Sequence, residues 1–217
     1  MTTATILINN ASKKLEPVTD TPFMEAEALL CFIKKITRSE LYINPDVDLS
    51  DAEEESFNAL VNKRATGIPL AYLTGTKEFY GREFAVNNAV LIPRPETELL
   101  IDETKKLTHN ISSPSIIDVG TGSGCIAITL ALELGNVEVI ACDIDPSALE
   151  VAKMNAEKFD VDKRVICRES DLLIDIEENA DIIVANLPYV LEKDKEKVEE
   201  KHTVSLKYEP QQALYAG

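Results

Sequence analysis

The stretch Ser115-Ile116-Ile117-Asp118-Val119-Gly120-Thr121-Gly122-Ser123-Gly124 constrains the fold more than any other part of the chain. A β-branched apolar run ends in three alternate glycines, and an apolar segment of helical character follows over about 124–134. Glycine lets the backbone turn sharply and lets another group approach with no Cβ in the way, so the pattern reads as a strand turning abruptly into a helix. The same grammar continues downstream. Short apolar runs at 115–119, 137–142, 164–168 and 181–185 are separated by helical patterns at 124–134 and 146–158, with a less regular stretch before the fourth run. Strands alternating with helices predict an α/β domain, a parallel sheet with helices on its faces, over residues 97–217.

The first part of the chain has a different rhythm. Up to about residue 70 the apolar spacing is helical: Thr21-Pro22 reads as a cap followed by a proline at the first helical position, and Leu29, Phe32, Ile33 and Ile36 recur at helix spacing. Ser50-Asp51-Ala52-Glu53 is a capping box, and its helix is expected to bury Phe57, Leu60, Val61 and Ala65 and to stop at Gly67. A small helical bundle over 1–75 follows. Aromatic and β-branched residues on both sides of Gly81, in EFYGREFAV, predict a hairpin within a connector over 76–96, and Pro95 opens a helix carrying Leu99, Leu100 and Leu107. The charge-dense stretch 191–201 reads as a solvated helix or loop.

Charge and cysteine usage narrow the class. With 38 acidic against 22 basic residues, a formal charge of -16, the chain has no basic stripe that could displace counterions from a phosphate backbone, which argues against non-specific nucleic-acid binding. Cys31, Cys125, Cys142 and Cys167 form no CxxC pair and read as buried thiols of a reducing compartment. The longest apolar run, Ala28 to Ile33, is far short of a membrane span, and the start MTTATILINN has no signal-peptide pattern, so a cytoplasmic protein is expected.

Four elements converge on one sheet edge. The glycine turn and the helix start behind it suit a ligand carrying a carboxylate or phosphate, although a lone glycine loop is equally a tight turn with no ligand. The second run ends at Asp143, whose carboxylate can accept from two ribose hydroxyls of either a dinucleotide or S-adenosylmethionine; its plain alternative is a helix cap before Asp145-Pro146. The GxGxG spacing, one residue shorter than the dinucleotide fingerprint, favours S-adenosylmethionine. After the third run, Asp171 can accept from an adenine amino group while Leu172 covers the ring. The fourth run delivers Asn186-Leu187-Pro188-Tyr189. An amide nitrogen is a poor nucleophile, so it has to be held and aimed. Asn186 Oδ1 and a nearby backbone carbonyl can accept its two N–H bonds, Pro188 stiffens the turn, and the Tyr189 ring can lie on a flat substrate group. No metal is required.

With these residues in place, the chain resembles the HemK/PrmC family, which methylates the glutamine of the GGQ motif in peptide-chain release factors. The most specific part of the likeness is the connector, IPLAYLTGTKEFYGREFAVNNAVLIPRPETELL; DVGTGSG, the strand ending at Asp143 and EPQQALYAG are similar too. The resemblance implies a Rossmann-like class I S-adenosylmethionine-dependent methyltransferase domain behind a helical domain that docks the release factor, with the GGQ loop taken up between them. It implies cofactor contacts from Gly120, Thr121, Gly122, Ser123, Gly124, Asp143, Asp171, Leu172 and Asn186. It implies substrate contacts from Asn186, Leu187, Pro188 and Tyr189, with catalysis resting on Asn186, Pro188 and Tyr189. Pro93-Arg94-Pro95-Glu96-Thr97-Glu98 keeps the family's linker motif, which packs beside the active site; Arg94 and Glu98 form either a salt-bridged hinge or a substrate contact. Two departures stand out. Leu187 replaces a proline, giving NLPY, a form shared with methyltransferases of adenine amino groups in RNA, which leaves methylation of an adenine amino group in nucleic acid as the alternative activity. Similar proteins also continue past the EPQQALYAG segment, so a truncated chain is expected, with the 181–185 strand unpaired at one edge and the sheet incomplete; a cofactor-binding fragment without turnover is the remaining alternative.

Overall fold

The computed structural model describes residues 3–191 and 205–216, so 192–201, nearly all of the charge-dense stretch, lies outside the described residues. Two compact units are present, one of residues 3–74 with 205–208 and one of residues 75–191 with 209–216.

The first unit is helical: α1 (Ala4–Leu15), α2 (Pro22–Lys34), α3 (Arg38–Ile43), α4 (Asp51–Ala65) and α5 (Leu70–Thr74). Its core joins Leu7, Ile8, Ala11 and Leu15 of α1 to Ala26, Leu29 and Leu30 of α2 and to Phe57 and Val61 of α4. The Ser50–Glu53 capping box forms at the start of α4 with both bonds in place, and Gly67, at φ +103°, follows its end. A second box, Thr37 with Glu40, starts α3. Thr21 takes the cap position of α2 with Pro22 in the first turn, as expected, but its side chain makes no cap bond, and Thr19 Oγ1 instead donates to Glu25. Phe32 is 45% exposed, because the stripe through Ala26, Leu29 and Leu30 faces the core and Phe32 falls off it.

In the second unit, β1 (Thr76–Phe79) and β2 (Arg82–Ala85) pair antiparallel across Tyr80-Gly81. Both turn residues have positive φ, +52° and +69°, as a two-residue hairpin turn matched to strand twist requires. The Tyr80 N–H donates to the Glu98 carboxylate at 2.8 Å, which helps hold a residue with a Cβ in this conformation. Phe84 lies against Phe159, fixing the hairpin to the next layer. After a 3₁₀ turn at Pro95–Thr97 come α6 (Glu98–Thr108), β3 (Ser115–Val119), α7 (Cys125–Leu134), β4 (Glu138–Asp143), α8 (Pro146–Lys158), β5 (Val165–Glu169) and β6 (Ile182–Ala185). Last among the described residues are β7 (Val190–Leu191), α9 (Gln211–Leu214) and β8 (Tyr215–Ala216), with β7 and β8 paired in parallel. The main sheet is wholly parallel in the order β5-β4-β3-β6.

One face of that sheet, carrying Ile116, Val139, Ala141, Val165 and Val184, packs on Ile101 of α6 and on α7 and α8. The other face, with Ile117, Val119 and Cys142, is covered by Ile176 and Ala180, while Ile166 and Ile183 are exposed. Helix α6 carries Leu99, Leu100 and Leu107 as expected, but it turns Ile101, Thr104 and Thr108 inward and leaves Leu99 and Leu107 exposed. The 3₁₀ turn and the packing of α6 on α7 and β6, rather than leucine content, set its rotation. Burial pushes the thiols of Cys125 and Cys142 up to about 12 and about 11, so neither is a thiolate at neutral pH.

Candidate active site

Because the strands run parallel, the loops after β3, β4, β5 and β6 emerge at one edge. Val119 is in register with both Cys142 and Ala185, which sets the glycine turn directly beside Asp143 on one side and Asn186 on the other. The turn folds back by local bonds: the N–H groups of Gly120 and Thr121 both donate to the Cys142 carbonyl at 2.9 Å, and Gly124 N donates to Thr121 O. Gly120, Gly122 and Gly124 all have positive φ, but they serve different ends. A Cβ on Gly124 would lie 2.9 Å from Ile128 Cδ1 and 3.2 Å from Ala152 Cβ, so this glycine lets α7 start against α8. A Cβ on Gly120 would meet Leu187 Cδ2 at 2.9 Å. Gly122 faces open space.

Asp118, fully buried at the end of β3, accepts through Oδ2 from Thr121 Oγ1 at 2.6 Å and from Ala127 N at 3.2 Å, tying the loop to the first turn of α7. Burial raises its carboxyl to about 6. Asp143 receives Gly122 N on Oδ2 at 2.8 Å and Asp145 N on Oδ1 at 3.0 Å. The cap of α8 is therefore Asp145, which accepts from Ser147 N, and not Asp143.

A cleft of about 220 Å³ opens along this edge. Gly120, Thr121, Gly122, Ser123, Asp143, Asp171, Leu172, Asn186, Leu187 and Pro188 line it. Gly124 and Tyr189 are not among its lining residues: Gly124 is taken up in helix packing, and Tyr189 is 85% exposed. Leu172 adopts φ +54° and points its carbonyl at the Cys142 thiol, 3.4 Å away. A side-chain-bearing residue in this conformation is strained, and here it borders the cleft. Asn186 Nδ2 donates to Thr97 Oγ1 at 3.2 Å.

Two further segments line the cleft, one of them the linker motif expected beside the active site. Val90, Leu91, Pro93 and Thr97 come from the connector, and Pro210, Gln212 and Ala213 from the segment after Tyr208. Buried Glu209 anchors that segment, accepting from Arg94 Nη2 at 2.7 Å and Ile92 N at 3.1 Å, and Gln212 Nε2 reaches Asp145 Oδ2 at 3.1 Å. Arg94 and Glu98 thus do not pair with each other; Glu98 caps the hairpin turn and Arg94 holds Glu209. The intact linker motif was the available signal for Thr97, whereas nothing local marks Gln212.

The residues fit S-adenosylmethionine. Gly122 leaves the room a Cβ would fill, Asp143 is pinned by two N–H groups yet keeps further acceptor capacity on each oxygen for ribose hydroxyls, and Leu172 offers an apolar surface to a base. Fold and cleft together define a Rossmann-like, S-adenosylmethionine-dependent methyltransferase. Two curated proteins, both named release factor glutamine methyltransferase, are similar along almost the whole chain. That of Koribacter versatilis is 42% identical over 212 residues, 96% of this chain and 74% of its own, and that of Chlorobaculum tepidum is 39% identical over 216 residues, 95% and 71%. The chain belongs to the release factor glutamine methyltransferase family. The profile of the PrmC N-terminal domain matches residues 7–75, and that of ribosomal protein L11 methyltransferase (PrmA) matches 95–200. Among solved structures, the hMettl16 catalytic domain in complex with the MAT2A 3'UTR hairpin 6 covers 72% of this chain and 57% of its own, with a TM-score of 0.53 at 20% identity, a likeness of fold. No helix among the described residues is long and apolar enough to cross a membrane.

Proposed function

We propose that the chain transfers a methyl group from S-adenosyl-L-methionine to the side-chain amide nitrogen of the GGQ glutamine in a peptide-chain release factor. The observation that carries this reading is that Asn186, Leu187 and Pro188 share one cleft with the glycine turn and Asp143. Bound there, the cofactor supplies an electrophilic methyl on a sulfonium. Everything else falls to the protein. Gly120 to Ser123 and Asp143 seat the nucleoside, and Asp171 and Leu172 take the base. Asn186 Oδ1 and a carbonyl of the NLPY turn accept the two N–H bonds of the incoming amide, which keeps its nitrogen aimed without a strong base. Pro188 fixes φ in that turn, and rate comes from holding a near-attack pair. The helical unit docks the release factor, and the acidic balance of the whole chain disfavours an RNA substrate.

Incubation of the chain with a release factor and methyl-labelled cofactor, followed by peptide mass spectrometry, is expected to place one methyl on the glutamine of the GGQ peptide. Asn186→Ala should abolish transfer with little change in cofactor affinity, whereas Asp143→Ala should weaken cofactor binding by about 1–3 kcal/mol, the scale of hydrogen bonds to a charged group. Label in RNA with the release factor unmodified would overturn the substrate assignment, and equal loss of cofactor binding in both variants would overturn the division of roles.

A further inference from the structure

We infer that Thr97 is a positioning residue for methyl transfer: its hydroxyl accepts from Asn186 Nδ2 and so holds the asparagine amide with Oδ1 turned to the acceptor nitrogen. This deepens the proposed function and rests on the role given there to Asn186. The two ends of an asparagine amide are alike in shape and opposite in hydrogen-bond character, and its terminal torsion is broad and roughly two-fold. Rotated by half a turn, Asn186 would present its own N–H groups, which can pair only with the carbonyl of the substrate amide and so would turn the acceptor nitrogen away from the methyl. The chemistry therefore calls for a fixed partner on the nitrogen side.

Thr97 meets that description. Its Oγ1 lies 3.2 Å from Asn186 Nδ2, the residue is buried, and it borders the same cleft. Threonine is restricted about χ1, which leaves its hydroxyl few positions to occupy. That backbone is fixed independently of Asn186. Thr97 closes the 3₁₀ turn after Pro95, with its N–H on Arg94 O at 3.1 Å, and Arg94 is itself held by the buried Glu209 carboxylate. Asn186 is fixed from the other side, one residue past the register pair of Ala185 with Val119.

The test combines kinetics with a readout that needs no turnover. In chain labelled with ¹⁵N-asparagine, the Hδ2 pair of Asn186 is the pair missing from Asn186→Ala. One proton of that pair should be shifted downfield and protected from exchange in the unaltered chain and in Thr97→Ser, and should lose both properties in Thr97→Val. With release factor as substrate, Thr97→Val should lose roughly tenfold in kcat, the weight of one hydrogen bond, with the KM for cofactor within about twofold; Thr97→Ser should recover most of the rate. Failure of Ser and Val alike, a normal rate in Thr97→Val, or no protected Hδ2 proton in the unaltered chain would each overturn the inference. A chain that shows the protected proton but methylates no release factor would sink the functional reading and leave the contact between the two side chains standing.

Discussion

Asp118 carries an unusual charge for its place. Oδ2 serves Thr121 and Ala127, while Oδ1 is buried without a partner among the described residues. Burial favours the neutral acid, lifting the carboxyl from 3.8 to about 6, so the fold binds a proton here more tightly than the unfolded chain does. The contribution of this group to stability is full below pH 3.8 and is lost as pH rises through about 6, an expected loss of ~3 kcal/mol by neutral pH. Asp118→Asn keeps an acceptor for Thr121 and Ala127 and has no charge to bury. Urea unfolding is therefore expected to show the variant gaining ~2 kcal/mol on the unaltered chain between pH 4 and pH 7. A gap between the two that does not change with pH would mean that the buried carboxylate carries no such penalty.

At the scale of elements, Asn155 of α8 joins the hairpin to the glycine loop of the site. Its Oδ1 accepts from Ala85 N of the hairpin at 2.8 Å, and its Nδ2 donates to Ala85 O at 3.0 Å and to Ser123 O of the glycine loop at 2.9 Å. Asn155 is fully buried, so Asn155→Ala strands these three backbone groups and should cost ~2–4 kcal/mol in unfolding free energy while weakening cofactor binding. Wild-type affinity in a destabilised variant would show that the loop holds its shape unaided. The elements themselves were legible because their signals are local: the Ser50–Glu53 box, the glycines of the hairpin and the β3–α7 turn, and β-branched runs of strand length each act within a few residues. Rotation about an element's own axis was not. Phe32, Leu99 and Leu107 suit a helical stripe in isolation, but the neighbours that fix which stripe turns inward are distant in sequence. The same reason hid Gln212 and Ala213, which reach the cleft only because Glu209 is held by Arg94 and Ile92.

Over the whole molecule, 38 acidic residues face 22 basic ones, and the compact state gathers this excess charge that the unfolded chain spreads out. Potassium chloride raised from about 10 mM to about 150 mM shortens the screening length to about 8 Å and should raise the melting temperature by about 2–4 °C, the shift that ~1 kcal/mol of relieved repulsion brings in a chain of this size. A falling melting temperature would mean that attractive pairs such as Arg64 with Glu25 outweigh the excess. The anchoring of Glu209 to residues 117 and 115 positions earlier also has a bearing on synthesis. A chain emerging from the ribosome can assemble β3, β4 and their helices while its distal part is still inside the exit tunnel, yet the wall formed by Pro210, Gln212 and Ala213 does not exist until those residues are out. Tight nucleoside capture by a nascent copy therefore waits on residues made more than a hundred positions after the connector.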